Sequence, residues 1–165
     1  MFRHTLQGLV VLLAAASPAR PDDRDPHTFP PAAKDILDRA EKLEVFSLHP
    51  ERPDGEAKEA FRGWKVLGKT EVADAATRKQ LAGAFVKGVT EFKGGPATCF
   101  DPRHGVRATA GGKTAEFVIC FSCFQARVTV GEKDHTVYVS RSPATAFDAV
   151  LRKAGVALPP PADGK

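Results

Sequence analysis

The sequence predicts an α+β domain, a mainly antiparallel sheet of about four to five strands packed with two to three helices. Three observations predict it. Leu81, Phe85, Val89 and Phe92 step by four, four and three, which draws one apolar stripe along a helix. Gly111-Gly112 stands between two strand-like runs and marks a two-residue hairpin turn. The links between neighbouring runs are short, and short links join antiparallel strands.

The chain opens on Arg3 and His4, then Leu6 to Ala16 without charge, then small residues at Ala14-Ala15-Ala16 and Ser17-Pro18-Ala19. This is the pattern of a cleaved secretory signal, so residues 1–19 are predicted to be a signal peptide. The apolar run is about 11 residues, too short to span a bilayer. Residues 20–31, rich in Pro and charge, are predicted to be a flexible linker. Residues 32–157 form the single domain, and residues 158–165, opening on a proline run, form a disordered tail. The protein is therefore expected outside the cytosol, periplasmic or extracellular, with no stable membrane insertion after cleavage.

Within the domain, Ile36, Leu37, Ala40 and Leu43 give helical spacing over 32–43, and 43–48 follows as a strand. Two Pro and a Gly make 49–58 a loop. A strand is predicted over 61–72, with Trp64 and Val66 buried and Leu67 a further candidate. Asp74 caps the long helix 75–92, which Lys93-Gly94-Gly95-Pro96 ends. The hairpin arms are 106–110 and 113–130, and 135–140 is one more strand. Ser142 caps a last helix with Pro143 at its first position, and Gly155 ends it.

Composition excludes some functions. Cleavage at residue 19 leaves 23 basic and 20 acidic residues, a net charge of +3. Both signs alternate along the chain, without the basic stripe of a nucleic-acid-binding surface. Gly63-Trp64-Lys65-Val66-Leu67-Gly68-Lys69-Thr70 fits the phosphate-loop pattern letter for letter. That chemistry needs a loop whose amides wrap phosphate just before a helix. Trp64, Val66 and Leu67 read as strand instead, so nucleotide binding is not expected.

Chemistry, if any, belongs to Cys99, Cys120 and Cys123, with His104 nearby. A turn at Gly111-Gly112 places His104 opposite Ile119, Arg103 opposite Cys120 and Phe100 opposite Cys123, with Pro102 able to interrupt the ladder. Three readings follow. Cys99 pairs with Cys123 or Cys120 and staples the hairpin, a loop of about 20 residues that stabilises by roughly 3 kcal/mol in the chain-entropy model. Alternatively Cys99, Cys120, Cys123 and His104 hold zinc as a Cys₃His set. Or Cys120 and Cys123 form a redox C-x-x-C pair, which their setting inside a strand pattern disfavours. An odd cysteine count leaves at least one sulfur outside any internal disulfide. Arg103, His104 and Arg107 make a basic cluster that could contact an anion or an acidic partner.

The segments Trp64-x-Val66-Leu67-Gly68-Lys69, Cys99-Phe100-x-Pro102-Arg103-His104-Gly105 and Cys120-Phe121-x-Cys123 resemble a family of small, uncharacterised exported bacterial proteins. The resemblance spans roughly residues 43–156 and implies no catalytic residues or cofactor. Neither G-x-S-x-G nor H-E-x-x-H is present. The leading expectation is a non-enzymatic exported domain that binds a protein or small-molecule partner near the cysteine hairpin. The alternative is an extracytoplasmic metal-binding or thiol-active protein built on the cysteine cluster.

Overall fold

The computed structural model describes residues 25–53, 55 and 59–161; the expected signal peptide and residues 162–165 lie outside these. Helix α1 (Pro31–Asp38) begins on a proline, whose missing N–H is no loss at a helix start, and buries Ala33, Ile36 and Leu37. It stops short of the predicted 43 because Leu43 belongs to strand β1 (Lys42–Leu48). Strands β2 (Ala60–Phe61) and β3 (Trp64–Glu71) follow, then α2 (Ala75–Thr90). The Asp74 carboxylate accepts from the Thr77 amide at 2.7 Å, satisfying one of the helix's free donors. Strands β4 (His104–Ala110), β5 (Lys113–Cys120), β6 (Gln125–Val130) and β7 (Lys133–Tyr138) lead to α3 (Ala144–Lys153). Pro143 stands at the α3 cap position without a side-chain bond, while the Ser142 hydroxyl pairs with that of Ser140 at 2.8 Å.

The sheet is antiparallel in the order β2-β3-β1-β4-β5-β6-β7, with seven strands rather than four or five. The two extra strands come from two turns inside runs predicted to be continuous. Arg62 (φ 52°) and Gly63 (φ 83°) reverse the first run between β2 and β3. Phe121 to Phe124 reverse the second between β5 and β6. The Gly111-Gly112 turn holds the predicted register from Ala110↔Lys113 to His104↔Ile119. Beyond His104 the predicted register breaks: the Arg103 amide donates to the Ile119 carbonyl at 3.2 Å, and Cys120 is paired on its β6 side, with Gln125, but not with Arg103.

One face of the sheet is covered by the three helices. Its core gathers Phe29, Phe85, Phe117 and Phe147, with Phe85 edge-on to both Phe29 and Phe117 at 5.4 Å. Phe29 lies in the stretch predicted to be a linker, yet it is 4% exposed. The Tyr138 amide also donates to the Pro26 carbonyl at 2.7 Å, so this stretch is docked from Pro26 onward. The predicted loose tail is docked too: Leu158 packs on the core, and Arg103 donates to the Pro160 carbonyl at 2.7 Å. Among the described residues no helix is long and apolar enough to cross a membrane.

The opposite face carries a smaller cluster of Phe46, Leu48, Phe61, Trp64 and Val118. Phe61 lies flat against Phe46 and over Gly105, where an added Cβ would come within 2.8 Å of its ring. Around this cluster Arg107 bonds Glu116 at 2.8 Å and approaches Glu44 at 3.7 Å.

Candidate functional site

The turn between β5 and β6 builds the site. The Cys123 amide donates to the Cys120 carbonyl at 3.2 Å, and Phe124 takes a left-handed backbone (φ 58°) to enter β6. Cys120 ends β5 and Cys123 lies in this closed turn, so the C-x-x-C pair spans the bend rather than a straight strand. Cys120 and Cys123 are joined in a disulfide, S–S 2.02 Å with Cα atoms 5.1 Å apart. Residues 97–101 run alongside. The Ala97 amide donates to the Cys123 carbonyl at 2.9 Å, and Gln125 Nε2 donates to the Cys99 carbonyl at 2.8 Å.

These bonds bring Cys99 Sγ to 3.3 Å from Cys123 Sγ. Cys99 is a free, exposed cysteine, whereas Cys120 and Cys123 are buried, at 1% and 0% exposure. The predicted pairing of Cys99 is therefore corrected: it sits against the disulfide without joining it. The Asp101 amide points at Cys123 Sγ from 3.4 Å. Cys120 Sγ lies 3.2 Å from the Cys123 amide and 3.4 Å from the Ser122 hydroxyl.

His104 is not part of this cluster. It shares the helix-covered face with its partner Ile119, while Cys120, one residue on, points the other way. Its Nε2 lies 2.9 Å from Asp148 Oδ1, and its ring packs near Phe121 and Phe147. The hydrogen bond from His104 holds the Asp148 carboxyl below the ordinary carboxylate range, against the opposing effect of burial. Ser47, opposite His104, is fully buried and its hydroxyl has no hydrogen-bond partner. Ser47 and His104 are closed to solvent, and of the three the Asp148 side chain alone, 29% exposed, reaches the surface.

The group of ligand atoms suited to a metal, among the described residues, is Cys99, Asp101 and Cys123, all within 4.8 Å of one another. The predicted His104 ligand is replaced by Asp101, and Cys123 is already bonded to Cys120. The basic cluster is likewise dispersed. Arg103 bonds the chain near its end and the Asp101 carbonyl, His104 lies under α3, and Arg107 is engaged by Glu116 and Glu44 on the open face. The phosphate-loop lookalike is a turn plus strand β3, and the next helix starts only at Ala75.

A second feature was missed from sequence. The open face holds a cavity of about 360 Å³ lined by Arg62, Trp64, Val118, Arg127, Thr129 and Asp134, with His135 and Thr136. Arg127 stacks over Phe100 at 4.3 Å, and Phe100 meets Trp64 edge-on at 6.0 Å. Alternation along β6 could have put Gln125, Arg127 and Thr129 on one face, had the turn before Gln125 been recognised.

No family model, curated protein or solved structure matches this chain.

What the sulfurs can do is thiol–disulfide exchange, which needs a thiolate within reach of a disulfide sulfur. Stapling is a weak account of the observed bond. Cys120 and Cys123 are three apart, so their bond restrains the unfolded chain by about 2 kcal/mol, against about 3.5 kcal/mol for a Cys99–Cys123 bond.

Proposed function

We propose that this chain is an exported thiol–disulfide exchange protein in which Cys99 carries oxidising equivalents between a buried disulfide and a client thiol. The observation that carries the reading is the exposed residue Cys99, whose Sγ lies 3.3 Å from Cys123 Sγ of a disulfide closed to solvent. Cys120 and Cys123, 1% and 0% exposed, are closed to a client, whereas Cys99 is exposed. The N-terminal signal pattern and the disulfide both support an oxidising compartment.

In the first step Cys99 gives its proton to water and its thiolate attacks Cys123 Sγ. The Cys99–Cys123 bond forms, the Cys120–Cys123 bond breaks, and Cys120 leaves as a thiolate that takes up a proton. The Cys123 amide and the Ser122 hydroxyl stand where they can donate to that leaving sulfur. A client thiolate then attacks Cys99, forming a mixed disulfide and releasing Cys123. A second client thiolate attacks the client sulfur of that bond, which yields a client disulfide and returns Cys99. Two electrons remain on Cys120 and Cys123 as two thiols.

The test is the rate at which 2-mercaptoethanol reduces the disulfide, read by alkylation and mass spectrometry. Cys99→Ser is expected to slow reduction by at least about tenfold, because the buried pair loses its surface relay. Cys120→Ser is expected to collect a Cys99–Cys123 disulfide under oxidised glutathione. A Cys99→Ser protein reduced as fast as the wild type, or a Cys120→Ser protein that keeps both thiols free, would overturn the proposal.

A second reading, a metal site, is favoured by the grouping of Cys99, Asp101 and Cys123. It requires Cys123 freed from Cys120. Zinc titration of the fully reduced protein against a chelating dye tests it: tight uptake lost in Asp101→Asn supports the site, and no uptake removes it.

A further inference from the structure

We infer that the client of the exchange site is a small thiol or disulfide carrying a carboxylate, its anionic end on Arg127 in the open-face cavity and its sulfur at Cys99. This rests on the exchange reading and adds the substrate class. The cavity, at about 360 Å³, has the size of a small-molecule site rather than a bed for a folded partner. Its charges are unequally engaged. Asp134 accepts from Arg62 at 3.2 Å and from Thr129 at 2.6 Å, and Arg62 also approaches Glu116 at 3.7 Å. Arg127, exposed on the same wall, forms no ion pair among the described residues.

Arg127 is also held in place. Its guanidinium lies over Phe100, so the planar fork is oriented before a ligand arrives, and a carboxylate can take two parallel N–H bonds from it. Trp64 and Val118 supply apolar wall for a short aliphatic stem.

Cys99 stands within a small molecule's length of this cation. Phe100, the ring under Arg127, is the next residue in the chain. Gln125 holds the Cys99 carbonyl at 2.8 Å and lies two residues before Arg127 on the same face, a rise of about 6.7 Å along the strand. When the incoming molecule is a disulfide, the Cys99 thiolate attacks its nearer sulfur. A Cys99–ligand disulfide forms, the ligand's own S–S bond breaks, and the departing thiolate takes a proton from water. That mixed disulfide passes to Cys123 when Cys123 is reduced, which releases the ligand thiol and forms Cys99–Cys123.

The probes are two disulfides of similar size, 3,3′-dithiodipropionate and the uncharged bis(2-hydroxyethyl) disulfide. Formation of the Cys99 mixed disulfide is followed by intact mass at low salt. Each rate is divided by that of the same probe with a small free thiol. The wild type is expected to favour the dianion, and Arg127→Gln to lower the dianion-to-neutral ratio by about tenfold. Arg127→Lys should restore part of it, and added salt should erode the preference. An unchanged ratio in Arg127→Gln overturns the carboxylate assignment while exchange at Cys99 stands. If neither probe reacts with wild-type Cys99, the exchange reading falls with it.

Discussion

The two faces of the sheet are built on different principles. The helix-covered face is apolar and enclosed: Phe29, Phe85, Phe117 and Phe147 interlock beneath the helices, and its exception is the buried Ser47 and His104 with the half-buried Asp148. The open face has a small aromatic cluster ringed by Glu44, Arg107, Glu116 and Arg62. Packing on the first face supplies most of the stability. Fixed charges and rings on the second leave room for a cavity, an available cation and an exposed thiol. The division shows why the sulfurs are placed as they are. The disulfide sits where the β5–β6 turn closes, and Cys99 stands at the solvent side of it.

Substitutions can break this contrast. Phe117 is fully buried against Phe29 and Phe85, so Phe117→Ala should cost about 3–5 kcal/mol in denaturant unfolding. A loss under about 1 kcal/mol would mean the helix-covered face is loosely packed. On the other face, Gly105→Ala drives a methyl against the Phe61 ring and should cost about 1–3 kcal/mol by overpacking. A neutral result would show that the open-face cluster yields freely, which would blur the distinction.

The smallest effect should come from Asp148. Its carboxyl is held low in the folded state, so its contribution is complete above the unfolded carboxyl's pKa of about 4 and is lost as pH falls through the lower folded value. Its side chain is 29% exposed, and solvent screening keeps the contribution near or below about 1 kcal/mol. Asp148→Asn should therefore flatten the acid limb of a stability-versus-pH curve and leave its neutral shape intact. An acid limb as steep as the wild type's would remove the Asp148 carboxyl as a contributor to it.

The elements legible in the sequence were those with strong local signals. The Gly111-Gly112 turn set the β4–β5 register residue by residue, and Asp74 marked the α2 start. Missed were the turns at Arg62-Gly63 and at Phe121 to Phe124. The second contains neither Gly nor Pro and relies on Phe124 in a left-handed conformation that non-glycine residues seldom adopt. That one turn also explains the misread site. A C-x-x-C inside a straight strand points its sulfurs apart, whereas on a closed turn it joins them. His104 was nearby in register but on the wrong face, and the docking of Phe29 and Leu158 depends on distant partners that local composition does not report.

The placement of β1 between β3 and β4 governs the order in which the molecule can assemble. Strands β4 to β7 zip from their own short turns, but β1 is clasped on its second side only when residues as distant as Lys42 and Thr109 meet. Closing so long a loop is the slower event. Until then the β1–β3 ribbon has a bare row of amides and carbonyls, the surface on which a newly made chain is most exposed to pairing with a neighbour.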